Sequence, residues 1–283
     1  MLEKCDNKTV MDLLYSGYIS RFKEGILFDV NSNIPLVIIQ YYLDNKIENE
    51  KMSKRIYKNF KTKYILCENL TEGINVTFEE VKKVVKQSDK LNLHAKEEVI
   101  GLADVYDYIQ DFTFDNIKNL NIYNLLTIHR KLFAYTKHPE FAGIFRECSA
   151  RIKGSPIELE DPYYISKKMA MLYNKFNNIL QSKDDVEIYI RKCIRLHAKL
   201  IQIHPFFDGN GRSTRALNNL LMAYIGLPPT YIKLEEKDKY CKALEEAIVS
   251  KNTLKLEQFF FYKIANAIIE TNEKYSKEAL EIL

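Results

Sequence analysis

The feature that most constrains this chain is a polar turn, residues 204–212 (HPFFDGNGR), between two helical patterns. Before the turn, apolar residues recur at helical spacing from Val186 to Ile203, and a second helical pattern covers residues 213–225. The turn contains an imidazole, a carboxylate, an amide, two glycines and a guanidinium. The fold must therefore hold two core helices that meet end to start, with polar groups at their junction.

The residue types in this turn suit a phosphate bound beside a proton acceptor. Gly209 and Gly211 let backbone N–H groups approach an anion without a Cβ in the way, and the following helix adds its positive N-terminal end. Asp208 offers the hard oxygen that Mg²⁺ prefers, and His204 can act as a general base near neutral pH. The alternative is a structural turn between core helices, which would need neither the carboxylate nor the histidine.

The turn is similar to the signature of the Fic family, His-Pro-Phe-x-(Asp/Glu)-Gly-Asn-Gly-Arg, with every fixed position filled. Arg215 matches a second arginine that many members carry three residues later. The resemblance is strong for residues 140–225, fair for 68–112 and 238–265, and absent for 1–66. It implies an all-α fold with a small β-hairpin, the flap. It also implies a protein adenylyltransferase (AMPylator), which transfers AMP from ATP to a Ser, Thr or Tyr hydroxyl of a target protein and of itself.

The same resemblance implies the catalytic and metal-binding roles. His204 would take the proton of the attacking hydroxyl, and Asp208 would hold a Mg²⁺ ion that bridges the α- and β-phosphates. Relatives that have a lysine and lack the second glycine can phosphorylate instead. Gly211 and Arg212 are both present here, which favours AMP transfer.

The nucleotide contacts are implied in the same way. The backbone N–H groups of the two motif glycines and the amide of Asn210 would bind the α-phosphate. Arg212 would pair with the β-phosphate, and Arg215, one helical turn further on, with the γ-phosphate. Tyr240 resembles an aromatic residue that lies beside the adenine in relatives, and a core tyrosine is the other interpretation.

A second segment resembles the inhibitory helix of many Fic proteins, Ser/Thr-x-x-x-Glu-Gly/Asn. Its glutamate would be Glu72, on a helix at about residues 62–73, and it would pair with Arg215 and exclude the γ-phosphate. Glu68 stands where Ser or Thr is expected. Like charges four residues apart destabilise a helix by about 0.2–0.5 kcal/mol, which predicts a brake that is either weakened or rewired through Glu68. A solvated glutamate before a helix-ending glycine is the alternative.

Few prolines and glycines interrupt the chain, which favours long helices. Residues 1–66 are expected to form an N-terminal helical lobe of unassigned role, and residues 67–265 a Fic domain with its core at about 97–265. Residues 266–283 would form a C-terminal helical tail. Alternation with Gly and Pro punctuation predicts a β-hairpin at 141–156, where a target segment would dock as the flap's extra strand. An ordinary surface hairpin is the alternative.

The composition limits which classes of binding partner we expect for this chain. The formal net charge is +4 with scattered lysines, which argues against nucleic acid or a membrane as the main partner. There is no signal-peptide-like or bilayer-spanning apolar run. The five cysteines are widely spaced without a Cys-x-x-Cys pair, as in a reduced cytoplasmic protein. The expected partners are ATP, a target protein and, through self-association, a second copy of the chain.

Two other functions stay open from the sequence. The same cleft could remove AMP from a modified protein, with Glu72 positioning a water molecule, or could transfer another phosphate-linked group. The non-enzymatic alternative is a nucleotide-binding regulator that binds ATP without turnover.

Overall fold

The computed structural model describes residues 34–44, 54–86, 97–111, 120–182 and 184–271. Within these ranges the chain is mostly α-helical and contains no β-strand. None of the helices found there combines the length and the apolar character that a membrane span requires. The expected all-α fold is confirmed, whereas the β-hairpin is not seen.

The helices are named here in chain order. They are α1 (Ile34–Asp44), α2 (Lys54–Thr71), α3 (Phe78–Lys86), α4 (Glu97–Asp111), α5 (Asn124–Phe133), α6 (Ile165–Gln181), α7 (Val186–Ile203), α8 (Asn210–Tyr224), α9 (Lys237–Val249) and α10 (Leu254–Thr271). Short 3₁₀ turns lie at Pro139–Phe141, Pro162–Tyr164 and Leu234–Glu236.

The described part of the expected N-terminal lobe packs against the other helices. Helix α2 runs without a break through residue 66, packs against α3 and α4, and carries Glu68 near its end. Helix α1 packs against α10. The remainder of the expected lobe, residues 1–33 and 45–53, lies outside the described residues, as does the tail from residue 272 onward.

Helix α8 is at the centre of the fold. It packs against α4, α5 and α7, and most of its side chains are buried on every face. A helix buried all round is normally apolar, but α8 buries polar groups that must find partners. Asn219 shows how this is met, because its amide donates to the Thr230 carbonyl and accepts from the Thr230 N–H, each at 2.9 Å.

Local capping explains why several helices begin and end where they do. Thr77 and Glu80 form the reciprocal capping box at the start of α3, with the Thr77 N–H 2.6 Å from a Glu80 carboxylate oxygen. The Asp185 carboxylate accepts from the Ile188 N–H at 2.9 Å and so starts α7. Gly73, with φ +79°, follows the end of α2 in the left-handed region.

The β-hairpin expected at residues 141–156 is wrong as a pairing of strands. The segment has turns at 142–143 and 153–154 and no regular secondary structure between them, and its backbone binds elsewhere: the Arg146 N–H donates to the Pro205 carbonyl at 2.8 Å. A little further on, the Glu160 N–H donates to the Gln202 carbonyl at 3.1 Å. Alternation in the sequence indicates extended backbone, yet the partner is the end of α7 rather than a second strand.

Helices α4 and α5 approach closely at Gly101. A Cβ atom at this position would lie 2.4 Å from the Leu132 carbonyl oxygen and 3.1 Å from the Lys131 carbonyl oxygen. Both obstacles are backbone atoms of α5, so the contact cannot be relieved by turning a side chain. Gly101 is therefore required by the packing of two core helices.

We expect Gly101→Ala to destabilise the protein. Gly→Ala within a helix usually stabilises by about 0.5–1 kcal/mol, but forcing α4 and α5 apart should cost about 1–3 kcal/mol. Urea unfolding measures the net change. Asn178→Ala, on the exposed surface of α6, is the control, because it changes helix propensity without crowding. A stabilised Gly101→Ala protein would show that the two helices separate freely.

Candidate active site

His204 lies where α7 ends. It adopts the left-handed conformation (φ 51°, ψ 61°), and its N–H donates to the Leu200 carbonyl at 2.9 Å. Its ring Nδ1 is 3.2 Å from the Ile201 carbonyl oxygen. Because a carbonyl can only accept, Nδ1 carries the ring proton and Nε2 keeps its lone pair. Burial, helped by the nearby charge of Arg146, lowers the pKa of His204, so the ring is a neutral proton acceptor.

Arg146 fixes the end of α7. Its guanidinium donates to the carbonyls of His204 (2.7 Å), Cys148 (2.6 Å) and Glu160 (2.5 Å), with Ile203 at 3.4 Å. The last carbonyls of a helix have no intrahelical donor, and a cation there is favourable. Arg146 was not among the expected site residues, because nothing in the sequence indicates which carbonyls it would reach.

The motif turn is braced by Asn210, whose side chain is buried. Its amide donates to the Phe206 carbonyl at 2.8 Å and accepts from the Phe206 N–H at 2.9 Å. One N–H and the oxygen of the amide are therefore used inside the turn, and the second N–H of the amide nitrogen is the donor left for a ligand. At Gly209 the backbone has φ +72°, and a Cβ would lie 2.5 Å from the Phe133 ring.

The first turn of α8 offers an anion site made of backbone groups. The first hydrogen bond of the helical ladder runs from the Ser213 N–H to the Gly209 carbonyl at 2.9 Å. The N–H groups of Asn210, Gly211 and Arg212 precede it and have no intrahelical acceptor, as in any α-helix. They point out of the N-terminal end, where the helix favours an anion.

Asp208 fits the metal-binding role expected from the sequence. Its side chain is 65% exposed, and its Oδ2 lies 3.6 Å from a guanidinium nitrogen of Arg212. Mg²⁺ is usually bound by one or two carboxylates together with substrate phosphates. The described residues contain no cluster of three or more His, Cys, Asp or Glu side chains suited to a metal ion. A metal ion at Asp208 would therefore arrive with, and be shared by, a bound phosphate.

A cleft of about 530 Å³ opens beside Asp208 and Arg212. Its volume is in the range of small-molecule sites. The Arg212 side chain is buried, and its Nε has no hydrogen-bond acceptor within the described part of the chain. The cleft is lined by Glu72, Ile74, Glu97, Glu98, Phe133, Thr136, Lys137, His138, Asp208 and Arg212. An anionic ligand in this cleft could supply the acceptor that Arg212 lacks.

Arg215 is held by two carboxylates from α2 and its C-terminal end. Its Nε and Nη2 donate to one oxygen of Glu68 at 2.8 and 2.7 Å, and Nη2 also lies 2.7 Å from Glu72. Burial raises the pKa of Glu68 despite this pairing. For Glu72, burial is opposed by the charge and hydrogen bond of Arg215, which together lower its pKa. The Glu72 carboxylate also covers the first turn of α8, 2.8 Å from where a Gly211 Cβ would be.

The expectation that Glu68 repels Glu72 and so weakens the brake omitted the guanidinium between them. Both carboxylates bind Arg215, so Glu68 acts as a competing partner of the arginine as well as a like charge. Glu68 is completely buried, and its second oxygen has no donor within the described residues. Glu68 therefore belongs to the site through its bonds to Arg215.

Tyr240 lies in the core rather than in the cleft. Its side chain is 3% exposed, and its hydroxyl is 2.8 Å from Nε2 of His197. The Arg215 guanidinium carbon lies 6.0 Å from the ring centroid, so Tyr240 supports the arginine from behind. The interpretation as a core tyrosine is the one that the burial and hydrogen bond of Tyr240 favour.

Sequence comparisons identify known proteins to which this chain is similar. Residues 119–222 match the Fic/DOC family. Among curated proteins, "Protein adenylyltransferase Fic" of Nematostella vectensis is 29% identical over 202 residues, which are 69% of this chain and 45% of the relative. The protein of the same name from Aedes aegypti is 27% identical over 199 residues, 69% of this chain and 38% of the relative. The chain thus spans less than half the length of these relatives.

Solved structures share the fold. A Fic domain-containing signalling protein from Bacteroides thetaiotaomicron superposes with a TM-score of 0.70 at 18% identity, covering 85% of this chain and 97% of that one. Fic-1 from C. elegans superposes with a TM-score of 0.67 at 18% identity, covering 97% and 82%. At this level of identity the likeness concerns the fold alone.

We expect Asn210→Ala to lower the free energy of unfolding by about 1–3 kcal/mol in the absence of any nucleotide. The substitution leaves the buried N–H and carbonyl of Phe206 without partners, and such groups are costly. Asn210→Asp should be destabilised as well, since a carboxylate accepts from the N–H but cannot donate to the carbonyl. Urea unfolding of the nucleotide-free proteins tests this. Unfolding at wild-type urea concentrations would mean that the amide serves a ligand only.

Proposed function

We propose that this chain, whose residues 119–222 belong to the Fic/DOC family, transfers AMP from ATP to a hydroxyl group of a target protein. The observation that carries the proposal is a neutral His204 with a free Nε2 lone pair at the motif turn that leads into α8. The charges of Asp208 and Glu72 both contribute to the pKa of His204, which supports a site where the base lies near the phosphate-binding groups.

In this proposal His204 removes the proton from the attacking hydroxyl. A positioned base of this kind contributes about 10²–10⁴ to the rate. The new bond forms between the hydroxyl oxygen and the α-phosphorus, the bond to the bridging oxygen breaks, and pyrophosphate leaves. The proton passes to Nε2 of His204, while Nδ1 keeps its hydrogen bond to the Ile201 carbonyl.

The phosphate groups are bound by the first turn of α8. Its free N–H groups bind the α-phosphate, and the buried guanidinium of Arg212 pairs with the β-phosphate. A Mg²⁺ ion held by Asp208, when bound, neutralises charge on the phosphates and on the departing pyrophosphate. Because the Asn210 amide braces the turn, its contribution is to orient these N–H groups.

The target protein is proposed to dock along residues 141–156. Within the described chain this stretch pairs with no strand, so the backbone between its two turns can pair with an incoming segment. The backbone and guanidinium of Arg146 tie it to the motif turn, which would bring a docked hydroxyl towards His204. The cysteines in the described ranges are all free, which supports the expected cytoplasmic location.

The experiment is incubation with cell lysate and ATP labelled either at the α- or at the γ-phosphate. Transfer of the α-label alone identifies AMP transfer, whereas transfer of the γ-label identifies phosphorylation. Release of AMP from a pre-modified protein would favour the removal reaction. ATP binding with neither reaction, also after Glu72→Gly, would leave a nucleotide-binding regulator.

We expect His204→Asn to lose about 10²–10⁴ of the transfer rate while binding ADP–Mg²⁺ with wild-type affinity. Asparagine tolerates the left-handed backbone at this position, so the helix end should be preserved, whereas alanine would add strain. Single-turnover label transfer and calorimetry give the two quantities. In the wild-type protein, the lowered pKa of His204 should place the acid limb of the rate below the ordinary imidazole value. Near-wild-type transfer by the variant would exclude His204 as the base.

Regulation by Glu72 is part of the proposal. Arg215 is expected to bind the γ-phosphate of ATP, but in the structure its Nη2 is bound to Glu72 at 2.7 Å. The two anions cannot occupy the same donor, and the tethered carboxylate has a high local concentration. Glu68 stays bound to Arg215 in either case, because it comes from the buried face of α2. The Glu68 carboxylate therefore weakens the bond that Arg215 forms with either Glu72 or the γ-phosphate.

We expect Glu68→Gln to have opposite effects in two backgrounds: to hinder ATP use when residue 72 is glutamate, and to favour ATP binding when residue 72 is glycine. In the wild-type background, removing the Glu68 charge should strengthen the bond from Glu72 to Arg215 and lower self-labelling. After Glu72→Gly, which alone should raise self-labelling, Glu68→Gln should raise ATP affinity relative to ADP, because Arg215 is freed for the γ-phosphate. A double-mutant cycle of self-labelling and calorimetry measures this coupling.

The brake proposal has a clear contrary outcome. If Glu72→Gly leaves labelling unchanged and Glu68→Gln acts alike in both backgrounds, the carboxylates only stabilise a buried arginine. Urea unfolding of the same four proteins identifies changes that arise from lost stability.

A further inference from the structure

His129, on α5, is the buried group that the proposed reaction does not use. Its ring is fully buried between two phenylalanines, with the Phe206 ring centroid 3.8 Å away at an interplanar angle of 16° and the Phe133 centroid 4.5 Å away at 18°. Stacking alone would be served equally by a third phenylalanine. What distinguishes a histidine from a phenylalanine at this position is its two ring nitrogens, so their contacts should explain why the residue is a histidine.

Each ring nitrogen of His129 meets a different segment of the site. Nε2 lies 2.9 Å from the backbone carbonyl oxygen of Asp208, in the motif turn. Nδ1 lies 2.9 Å from the backbone nitrogen of Gly143, in a turn at the start of the segment 141–156. A carbonyl only accepts and an N–H only donates, so a neutral ring protonated at Nε2 satisfies both. His129 thus links the motif turn to the segment 141–156, with one hydrogen bond to each.

Both ends of this bridge matter for the geometry of the reaction. The Asp208 side chain is largely exposed, and its carboxylate is held by the N–H of Gly209 at 2.6 Å and loosely by Arg212 at 3.6 Å. Its backbone, however, is fixed by His129. Gly143 has φ +74°, and a Cβ there would lie 2.6 Å from the Arg130 side chain, so its N–H is directed by a backbone conformation that suits glycine.

We propose that His129 is a positioning residue that sets the distance between the metal-binding carboxylate of Asp208 and the segment where the target protein docks. The inference rests on the proposed function, because it uses the docking role of residues 141–156. Two substrates react efficiently only when their reacting atoms are held in register, and a shift of about 1 Å can cost about 10²-fold in rate. A stacked imidazole with a hydrogen bond at each ring nitrogen fixes the relative position of the two binding segments without contacting either substrate.

Three substitutions separate the two hydrogen bonds. In His129→Asn the amide oxygen can replace Nδ1 as the acceptor for Gly143, but the donor to Asp208 is lost. In His129→Gln the amide nitrogen can replace Nε2 as the donor to Asp208, but the acceptor for Gly143 is lost. His129→Phe keeps the stacking between Phe133 and Phe206 and loses both bonds.

We expect opposite defects in the two amide variants. His129→Asn should raise the Mg²⁺ concentration for half-maximal transfer by about 10–100-fold, as when a partner of a metal-binding group is removed, with the KM for the target protein unchanged. His129→Gln should raise that KM by a similar factor and leave the Mg²⁺ requirement unchanged. His129→Phe should show both defects. The contrary outcome is that the Mg²⁺ requirement and the KM for the target protein change equally in all three variants, in proportion to the stability lost in urea. His129 would then serve only to pack the core.

Two readouts do not depend on turnover. Calorimetry of ADP with and without Mg²⁺ should show the metal's contribution to affinity lost in His129→Asn and kept in His129→Gln. Hydrogen exchange of the Gly143 N–H should be faster in His129→Gln and His129→Phe, and unchanged in His129→Asn. If the wild-type protein transfers no AMP, the proposed function fails while these readouts still decide the inference. A metal contribution that is the same in every variant would overturn it.

Discussion

The bonds of Arg146 to the end of α7 are the contacts on which the rest of the site depends. One buried guanidinium donates to carbonyls of the helix end, of the segment just after the arginine and of Glu160. Because its own N–H binds the Pro205 carbonyl as well, one residue holds both the end of α7 and the first residues of the motif turn. The left-handed His204, which ends α7, is stable only in such an arrangement, since the backbone there is otherwise disfavoured.

The sequence predicts the helices well and the turn less well, for physical reasons. Helix α7 has a 3.6-residue apolar period and an Asp185 cap, both of which are local signals, and its bounds are those expected. The pairing of residues 141–156 depends on a helix end far away in sequence, so alternation alone favoured a hairpin. The amide of Asn210 and the ring of Tyr240 suit both a ligand and the core, and only tertiary packing separates these interpretations.

In the proposed regulation, the ion cluster around Arg215 allows Glu72 to be replaced by a phosphate without leaving the arginine unpaired. Breaking a buried ion pair by removing one partner leaves an uncompensated charge and costs about 3–5 kcal/mol. If Glu72 were the sole partner, its departure would carry that cost unless a phosphate replaced it at once. Glu68 keeps Arg215 paired during the exchange. The carboxylate that the inhibitory pattern does not contain thereby makes the exchange at the γ-phosphate position less costly, at the expense of affinity for either partner.

The state of His204 depends on the same exchange. In the structure, burial and Arg146 lower the pKa of the ring, while the charges of Asp208 and Glu72 raise it. When Glu72 leaves and a cation binds at Asp208, both of the charges that favour the protonated ring are removed or neutralised. The ring that remains is a neutral base held by the Ile201 carbonyl, suited to accept a hydroxyl proton. If Glu72 is the proposed brake and His204 the proposed base, one electrostatic change affects both, because the charge of Glu72 acts on Arg215 and on His204.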